Sequence, residues 1–264
     1  MELQEITQQV EVLAKKAGSF IRNESKNFNL DNVEQKGFND LVSYVDKGAE
    51  EIIVKGLSEI VPEAGFITEE GTRSDKSKAL TWIVDPLDGT TNFVHGIPMY
   101  AVSIALARDT EIIVGVVYEI NLDELFAAYE GSPATCNGLP IKVSQKEKLS
   151  DSLVAAGFPY DDGGKLEEYF QLLKYFIQNS HGLRRLGSAA VDLCYVACGR
   201  VEGYFEYNLQ SYDVAAGTLI VKQAGGKVTD FSGGEDYIFG GEILATNYKL
   251  HDEFEKALSE KFAF

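Results

Sequence analysis

Residues 81–92, TWIVDPLDGTTN, place two aspartates three positions apart at the end of an apolar run. Trp82, Ile83 and Val84 read as a buried strand, so Asp85 and Asp88 fall at its C-terminal edge, where open sheets tend to bind ligands. Pro86 cannot extend a ladder. Gly89 permits a tight turn with outward-pointing amides, and Thr90, Thr91 and Asn92 are good helix-starting residues. Two carboxylates beside a nest of donors is the expected result. The plainer alternative is a turn with solvated aspartates, since Asp and Gly are common turn formers. Other acids also end strands or begin helices: Glu69 with Glu70 in FITEEG, Asp213 in YDVAAG and Asp46 in SYVD. Carboxylates crowded to ~4 Å repel by roughly 4 kcal/mol per pair at an effective dielectric near 20. Hard divalent cations relieve that repulsion, and Mg2+ binds through carboxylates, waters and substrate phosphate. The expected chemistry is a cation site that in turn attracts an anion.

The elements around these residues follow from periodicity. Leu3, Ile6, Val10, Leu13, Ala17, Phe20 and Ile21 predict an amphipathic helix over 2–25, and Val45, Ala49, Ile52, Ile53 and Leu57 another over about 44–58, ending before Pro62. AGFITEEG and LTWIVDP read as strands. YAVSIALARDTEIIVGVVYEI reads as two strands around a turn at Arg108–Thr110, with ELFAAYEG as a third. Beyond about residue 140, DSLVAAGF, VEGYFEYN, GKVTDF and EILATN read as strands. Residues 165–180, SAAVDLCYVACG, 213–224 and the C-terminus read as helices. Hairpins among interleaved helices predict stacked layers of helix and mixed sheet, an α+β or α/β arrangement and not a plain parallel doubly wound one. A boundary near 140 divides an N-terminal half, 1–140, from a C-terminal half, 141–264, and without a linker the two should pack as one unit.

Composition narrows the function classes. With 264 residues, 45% of them apolar, the chain can bury a sizeable core. Its formal charge of −17 disfavours direct contact with a nucleic-acid backbone. The same charge makes a phosphorylated substrate workable only with cations in the site. Three cysteines argue against a disulfide framework. Cys194 and Cys198, one helical turn apart, read as half a metal site or, more plainly, as two buried side chains. The N-terminus lacks a basic start before an apolar core, and no run approaches the ~18 apolar residues of a membrane span. A cytoplasmic protein is expected.

Two longer motifs, WIVDPLDGTTNFVHGIP and YDVAAGTLIVKQAGG, resemble those of the inositol monophosphatase family of metal-dependent phosphatases. FITEEG, GVVYEINLDELFAAYEG, NGLPIKVS, LRRLGSAAVDLCYVACGRVEGYFE and ILATN extend the resemblance along most of the chain. It implies the layered αβαβα sandwich shared with fructose 1,6-bisphosphatases, a homodimer, activation by two to three Mg2+ per subunit and inhibition by Li+. It implies that Glu69, Asp85 and the Leu87 carbonyl hold a first metal. Asp85 would bridge to a second held by Asp88 and Asp213, and a weaker third would use Glu69 and waters. Asp46 would hydrogen-bond Thr90, and the pair would orient the attacking water. Metal binding by Asp213 is compatible with helix capping, whereas the alternative for Asp46 is a solvated helix face and for Glu70 a supporting group or surface charge.

Phosphate is expected on the Gly89–Thr91 amides, with Asp88 and Asp213 nearby. Glu206 would accept hydrogen bonds from polyol hydroxyls, or else face outward from an alternating strand. Gly187, Ser188 and Ala189 match the loop lining that pocket, Arg184 a basic residue shaping it or the dimer contact, and Lys36 the loop covering the metals. Pro133, Gln210 and the loop GFPYDDGG depart from the animal pattern, which bears on substrate preference and leaves the metal residues untouched. Thr91 and Asn92 replace the Lys-Glu of 3′,5′-bisphosphate nucleotide phosphatases. The expected reaction is Mg2+-dependent hydrolysis of myo-inositol 1-phosphate. Lipid-linked, fructose bisphosphate, histidinol phosphate and 3′-phosphoadenosine nucleotide substrates stay open, as does a regulatory protein-binding role, because some bacterial relatives partner with the transcription machinery.

Overall fold

The computed structural model describes the chain except residues 1, 27, 29–32, 38, 39, 74–78, 159–163, 263 and 264; of 33–37 and 40–42 it describes the backbone. In chain order the elements are α1 (Leu3–Ser25), β1 (Val33–Gly37), β2 (Asp40–Ser43), α2 (Tyr44–Ile60), β3 (Gly65–Thr68), β4 (Leu80–Asp88), α3 (Thr90–Val94), β5 (Ala101–Arg108), β6 (Glu111–Glu119), β7 (Glu124–Tyr129), β8 (Thr135–Cys136) and β9 (Leu139–Pro140). There follow β10 (Leu153–Ala156), α4 (Leu166–Asn179), β11 (Gly182–Arg184), α5 (Ala189–Ala197), β12 (Gly203–Tyr207), α6 (Ser211–Gln223), β13 (Lys227–Thr229), β14 (Glu242–Thr246) and α7 (His251–Lys261).

Two mixed sheets organise the molecule. The larger runs β3-β4-β5-β6-β7-β8-β9, with β3 parallel to β4 and the rest antiparallel. The smaller runs β11-β10-β12-β14-β13, with β10 parallel to β11 and β12. Three apolar clusters glue the layers. The first joins α1 and α2 to one face of the large sheet through Val10, Leu13, Ile53, Trp82, Val84 and Val116. The second fills the space between the sheets, where α5 and α6 contribute Val191, Leu193, Ala216 and Ile220. The third seats α4 and α7 on the outer face of the small sheet through Leu172, Phe176, Phe205 and Phe254. The order of layers is α, β, α, β, α.

Most expected elements lie within a residue or two of their predicted ends. The exceptions have local causes. β4 continues past Pro86 to Asp88, because a bulge absorbs the proline. A hairpin, β1–β2, precedes α2, and the short strands β8, β9 and β11 escape a periodicity argument at two or three residues each. Among the described residues no helix is long and apolar enough to cross a membrane.

Candidate metal centre

In a regular strand, residues three apart point to opposite faces. Asp85 and Asp88 avoid that fate. Asp85 lies opposite Ser103 and Asp88 opposite Ala101, so β4 spends three steps where β5 spends two. Ser103 and Ala101 share a face, and their cross-strand partners therefore share it too. The extra residue is a β-bulge at Pro86–Leu87, where a proline costs no ladder bond, and the Leu87 amide donates to Asp85 Oδ1 at 2.9 Å.

That face looks toward α5 and α6. Asp213, in the first turn of α6, accepts a hydrogen bond from the Gln210 amide at 2.6 Å, so capping fixes its carboxylate at the helix start. Ser103 Oγ reaches the Tyr212 carbonyl at 3.3 Å and ties that start to β5. One carboxylate oxygen from each of Asp85, Asp88 and Asp213 then lies within 4.8 Å of the others. At that separation the repulsion is roughly 3 kcal/mol per ionised pair for an effective dielectric near 20.

Asp88 is aimed by α5. Its Oδ2 accepts from Ser188 Oγ at 2.6 Å and from the Ala190 amide at 2.7 Å, with the Ala189 amide also bonded, so a helix N-terminus holds one oxygen of the pair. Gly89 turns the chain at φ +98°, and a Cβ there would stand 2.9 Å from the Met99 carbonyl oxygen and 3.2 Å from that of Gly187. Only glycine fits. Asn92, buried in α3, donates to the Met99 and Leu186 carbonyls at 2.8 Å and fastens α3 to the loop before α5.

The electrostatics of the cluster favour a counter-charge. Burial, then the charges of Glu69, Asp88 and Asp213, push the Asp85 carboxyl well above the usual range. Asp213 is raised by burial, Asp88, Glu69 and Glu206. Burial lifts Asp88 to about 6, against the lowering effect of Ser188, the α5 amides and Arg185. Glu69 and Asp85 share a hydrogen bond, which needs a proton between the carboxyls unless a cation replaces it. Four acids with oxygen donors and mutual repulsion fit a hard divalent cation.

Asp46 stands beside this cluster. It belongs to the first turn of α2, in a capping box with Ser43, and its side chain is fully buried, so the solvated-face alternative falls. Asp46 Oδ1 accepts from Thr90 Oγ1 at 2.9 Å, and the Leu87 carbonyl lies at the same distance from that hydroxyl. Burial raises the Asp46 carboxyl, and the bonds from Ser43 and Thr90 oppose that rise.

Glu206, half-buried on β12, accepts from Tyr204 Oη at 2.5 Å, and burial raises it to about 7. Gly157 makes room for it: a Cβ there would overlap the Glu206 carboxylate at 1.7 Å. The basic charge felt by Asp88, Glu206 and buried Asp192 is that of Arg185, whose guanidinium stacks over Phe158 at 5.7 Å. Arg184, the residue singled out from sequence, is exposed and donates to the Leu183 carbonyl. Gly187 lies against Asn92, while Ser188 and Ala189 grip Asp88. Gln210 and Pro133 are exposed. The side chain of Lys36 lies outside the described residues.

Sequence reasoning missed Glu50, Arg185 and Gly157. Glu50 is fully buried on α2 and accepts hydrogen bonds from the loop carrying Glu69 and Glu70, whose amide is one of its donors. Its only signal was position, one turn after Asp46.

A layered sandwich with a carboxylate cluster at the junction of its sheets has the make-up of a scaffold that could hold a metal ion. The chain belongs to the inositol monophosphatase family, whose model matches residues 2–262. It is 39% identical to the Nus factor SuhB of Pasteurella multocida, over 94% of this chain and 95% of that one. It is 42% identical to the inositol-1-monophosphatase of Mesorhizobium japonicum, over 86% of each. The crystal structure of the extragenic suppressor protein suhB of Bartonella henselae superposes with a TM-score of 0.91 at 41% identity, covering 97% of this chain and 99% of that one. A relative named as a Nus factor leaves the expected avoidance of nucleic acid without support, because that expectation rested on net charge alone.

Proposed function

We propose that the protein is a Mg2+-dependent phosphomonoesterase acting on myo-inositol 1-phosphate or a close polyol phosphate. The observation that carries this reading is the convergence of Asp85, Asp88 and Asp213 oxygens within 4.8 Å. Glu69, Asp85 and the Leu87 carbonyl would hold one ion, Asp85, Asp88 and Asp213 a second, and Glu69 a weaker third. Bound ions supply positive charge to the phosphoryl and leaving oxygens and acidify an adjacent water.

The chain's own groups orient the reactants. Thr90 donates to Asp46, which leaves its lone pairs directed at a water proton and fixes the line of attack. The backbone at Gly89–Thr91, with Asp88 and Asp213 beside it, receives the phosphate. Tyr204 occupies one oxygen of Glu206, and the other accepts from polyol hydroxyls. Gly187, Ser188 and Ala189 border the same space. Water attacks phosphorus directly. A cysteine phosphoenzyme is disfavoured because burial pushes the Cys136 thiol to about 11 and those of Cys194 and Cys198 upward as well.

Phosphate release from inositol, nucleotide, sugar and histidinol phosphates, with and without Mg2+, tests the assignment. Inositol 1-phosphate should head the panel, with Li+ as an inhibitor. Preference for a nucleotide or histidinol phosphate would overturn the substrate, and no release from any ester would overturn the enzyme. A second reading, a role as partner in a larger assembly, is favoured by the Nus factor name of the Pasteurella relative. An Asp88→Asn variant separates the two: a binding role survives it and turnover does not.

A homodimer is supported by the stripe of Leu166, Phe170 and Ile177, which α4 presents to solvent at 39%, 49% and 58% exposure.

A further inference from the structure

Glu50 has no polar task in a solvated helix, because its side chain is fully buried one turn beyond Asp46 on α2. A buried carboxylate needs compensation, and here three donors supply it. Oε1 accepts from Thr68 Oγ1 at 2.9 Å and from the Thr72 amide at 2.7 Å, and Oε2 accepts from the Glu70 amide at 2.8 Å. The residue between Thr68 and Glu70 is Glu69. Both of its neighbours are thus pinned to one carboxylate, while its own amide bonds the Val84 carbonyl at 3.2 Å.

We infer that Glu50 is a positioning residue that sets divalent-cation affinity by holding Glu69 in the cage. The inference rests on the metal-site reading of Glu69 above. A fold-stabilising acid could sit anywhere; this one brackets a carboxylate whose charge already raises Asp85 and Asp213. Asp46 and Glu50 also share a face of α2, being four residues apart. One helix therefore braces both flanks of the centre, Asp46 through Thr90 and Glu50 through the 68–72 loop. A glutamine at position 50 keeps the shape but has a single acceptor oxygen. Its amide nitrogen would confront one of the two backbone N–H donors and detach it.

The test compares wild type with Glu50→Gln by calorimetric titration with Mg2+ and Mn2+, and by amide hydrogen exchange across residues 68–73. Glu202→Gln is the matched control. Glu202 is another fully buried carboxylate, accepting from the Leu153 amide at the start of β10 at 2.7 Å and paired with Lys146 at 3.3 Å. Glu50→Gln is expected to weaken cation binding about tenfold or more and to speed exchange at Glu70 and Thr72. Its kcat at saturating Mg2+ should be largely kept. Glu202→Gln should lower stability and leave cation affinity alone. If Glu50→Gln does not fold, Thr68→Val removes one donor and should shift affinity the same way by a smaller factor. Affinity within twofold of wild type, or an equal shift in Glu202→Gln, overturns the inference. A wild type that binds cations yet cleaves no ester sinks the phosphatase reading while the affinity comparison still decides Glu50. A wild type that binds no divalent cation sinks both.

Discussion

At the scale of the residue, the carboxylates carry opposite obligations. Each must be ionised to hold a cation, and each is pushed toward its protonated form by burial, with neighbouring carboxylates adding to the push on Asp85 and Asp213. Protons therefore compete with metal, and the Mg2+ concentration for half-activation should fall as pH rises from about 5.5 to 8; a midpoint independent of pH would contradict the cage. The linkage in the ion-free protein runs the other way. Asp88 goes from 3.8 to about 6 on folding and Glu206 from 4.5 to about 7. The unfolded chain binds fewer protons across those windows, so their contribution to stability declines as pH rises through them. Asp213→Asn removes one charge while keeping a side-chain oxygen for the Gln210 amide. It should cut activity by at least on the order of 100-fold, since it alters a group proposed to hold metal. In chelator near pH 8 it should match or exceed wild type in thermal stability.

At the scale of the element, legibility depended on the range of the signal. The run WIVDP announced a buried strand ending in acids, and Asp213 ahead of VAAGTLIV announced a helix start. What stayed hidden was relational. Asp85 and Asp88 share a face only because of the bulge against β5, and a pairing register is not written in β4 itself. Ser43 and Asp46 form a capping box, a spacing present in the sequence, whereas the burial of Asp46 depends on what packs against the start of α2. Glu50, Arg185 and Gly157 matter through contacts with distant loops. An element-level prediction concerns His251 at the start of α7. It is fully buried, with its ring nitrogens 3.2 Å from Thr229 Oγ1 on β13 and 2.9 Å from Thr246 Oγ1 on β14. Burial first, then Lys227, lower it from 6.5 to about 4. The unfolded chain binds the extra proton between those values, so stability is full above about 6.5 and is lost toward pH 4, by up to ~3 kcal/mol. Urea unfolding at pH 7 and 4.5 in chelator should show that loss as a difference between proteins: on going to pH 4.5 wild type should fare worse than His251→Gln, which keeps the opposing Asp88 and Glu206 contributions and lacks the histidine's.

At the scale of the whole molecule, stacked layers were predictable from interleaved strands and helices, because apolar faces must be covered in turn, while their five-layer order was implied by the family resemblance. The layers place the carboxylate cluster where β4, α5 and α6 meet between the sheets, so residues remote in sequence close on one point. A molecule of charge −17 can attract a phosphate ester there only if cations reverse the local field. The exposed apolar stripe on α4 belongs to the same scale. Sedimentation should give a dimer for wild type and a monomer for Phe170→Glu with Ile177→Glu; an unchanged dimer would move the interface elsewhere.

Phosphate release from inositol 1-phosphate should be followed in excess chelator and then after Mg2+ is restored. Hydrolysis should vanish in the first condition and return in the second. Equal rates in both would show that these carboxylates are gathered for some purpose other than holding cations.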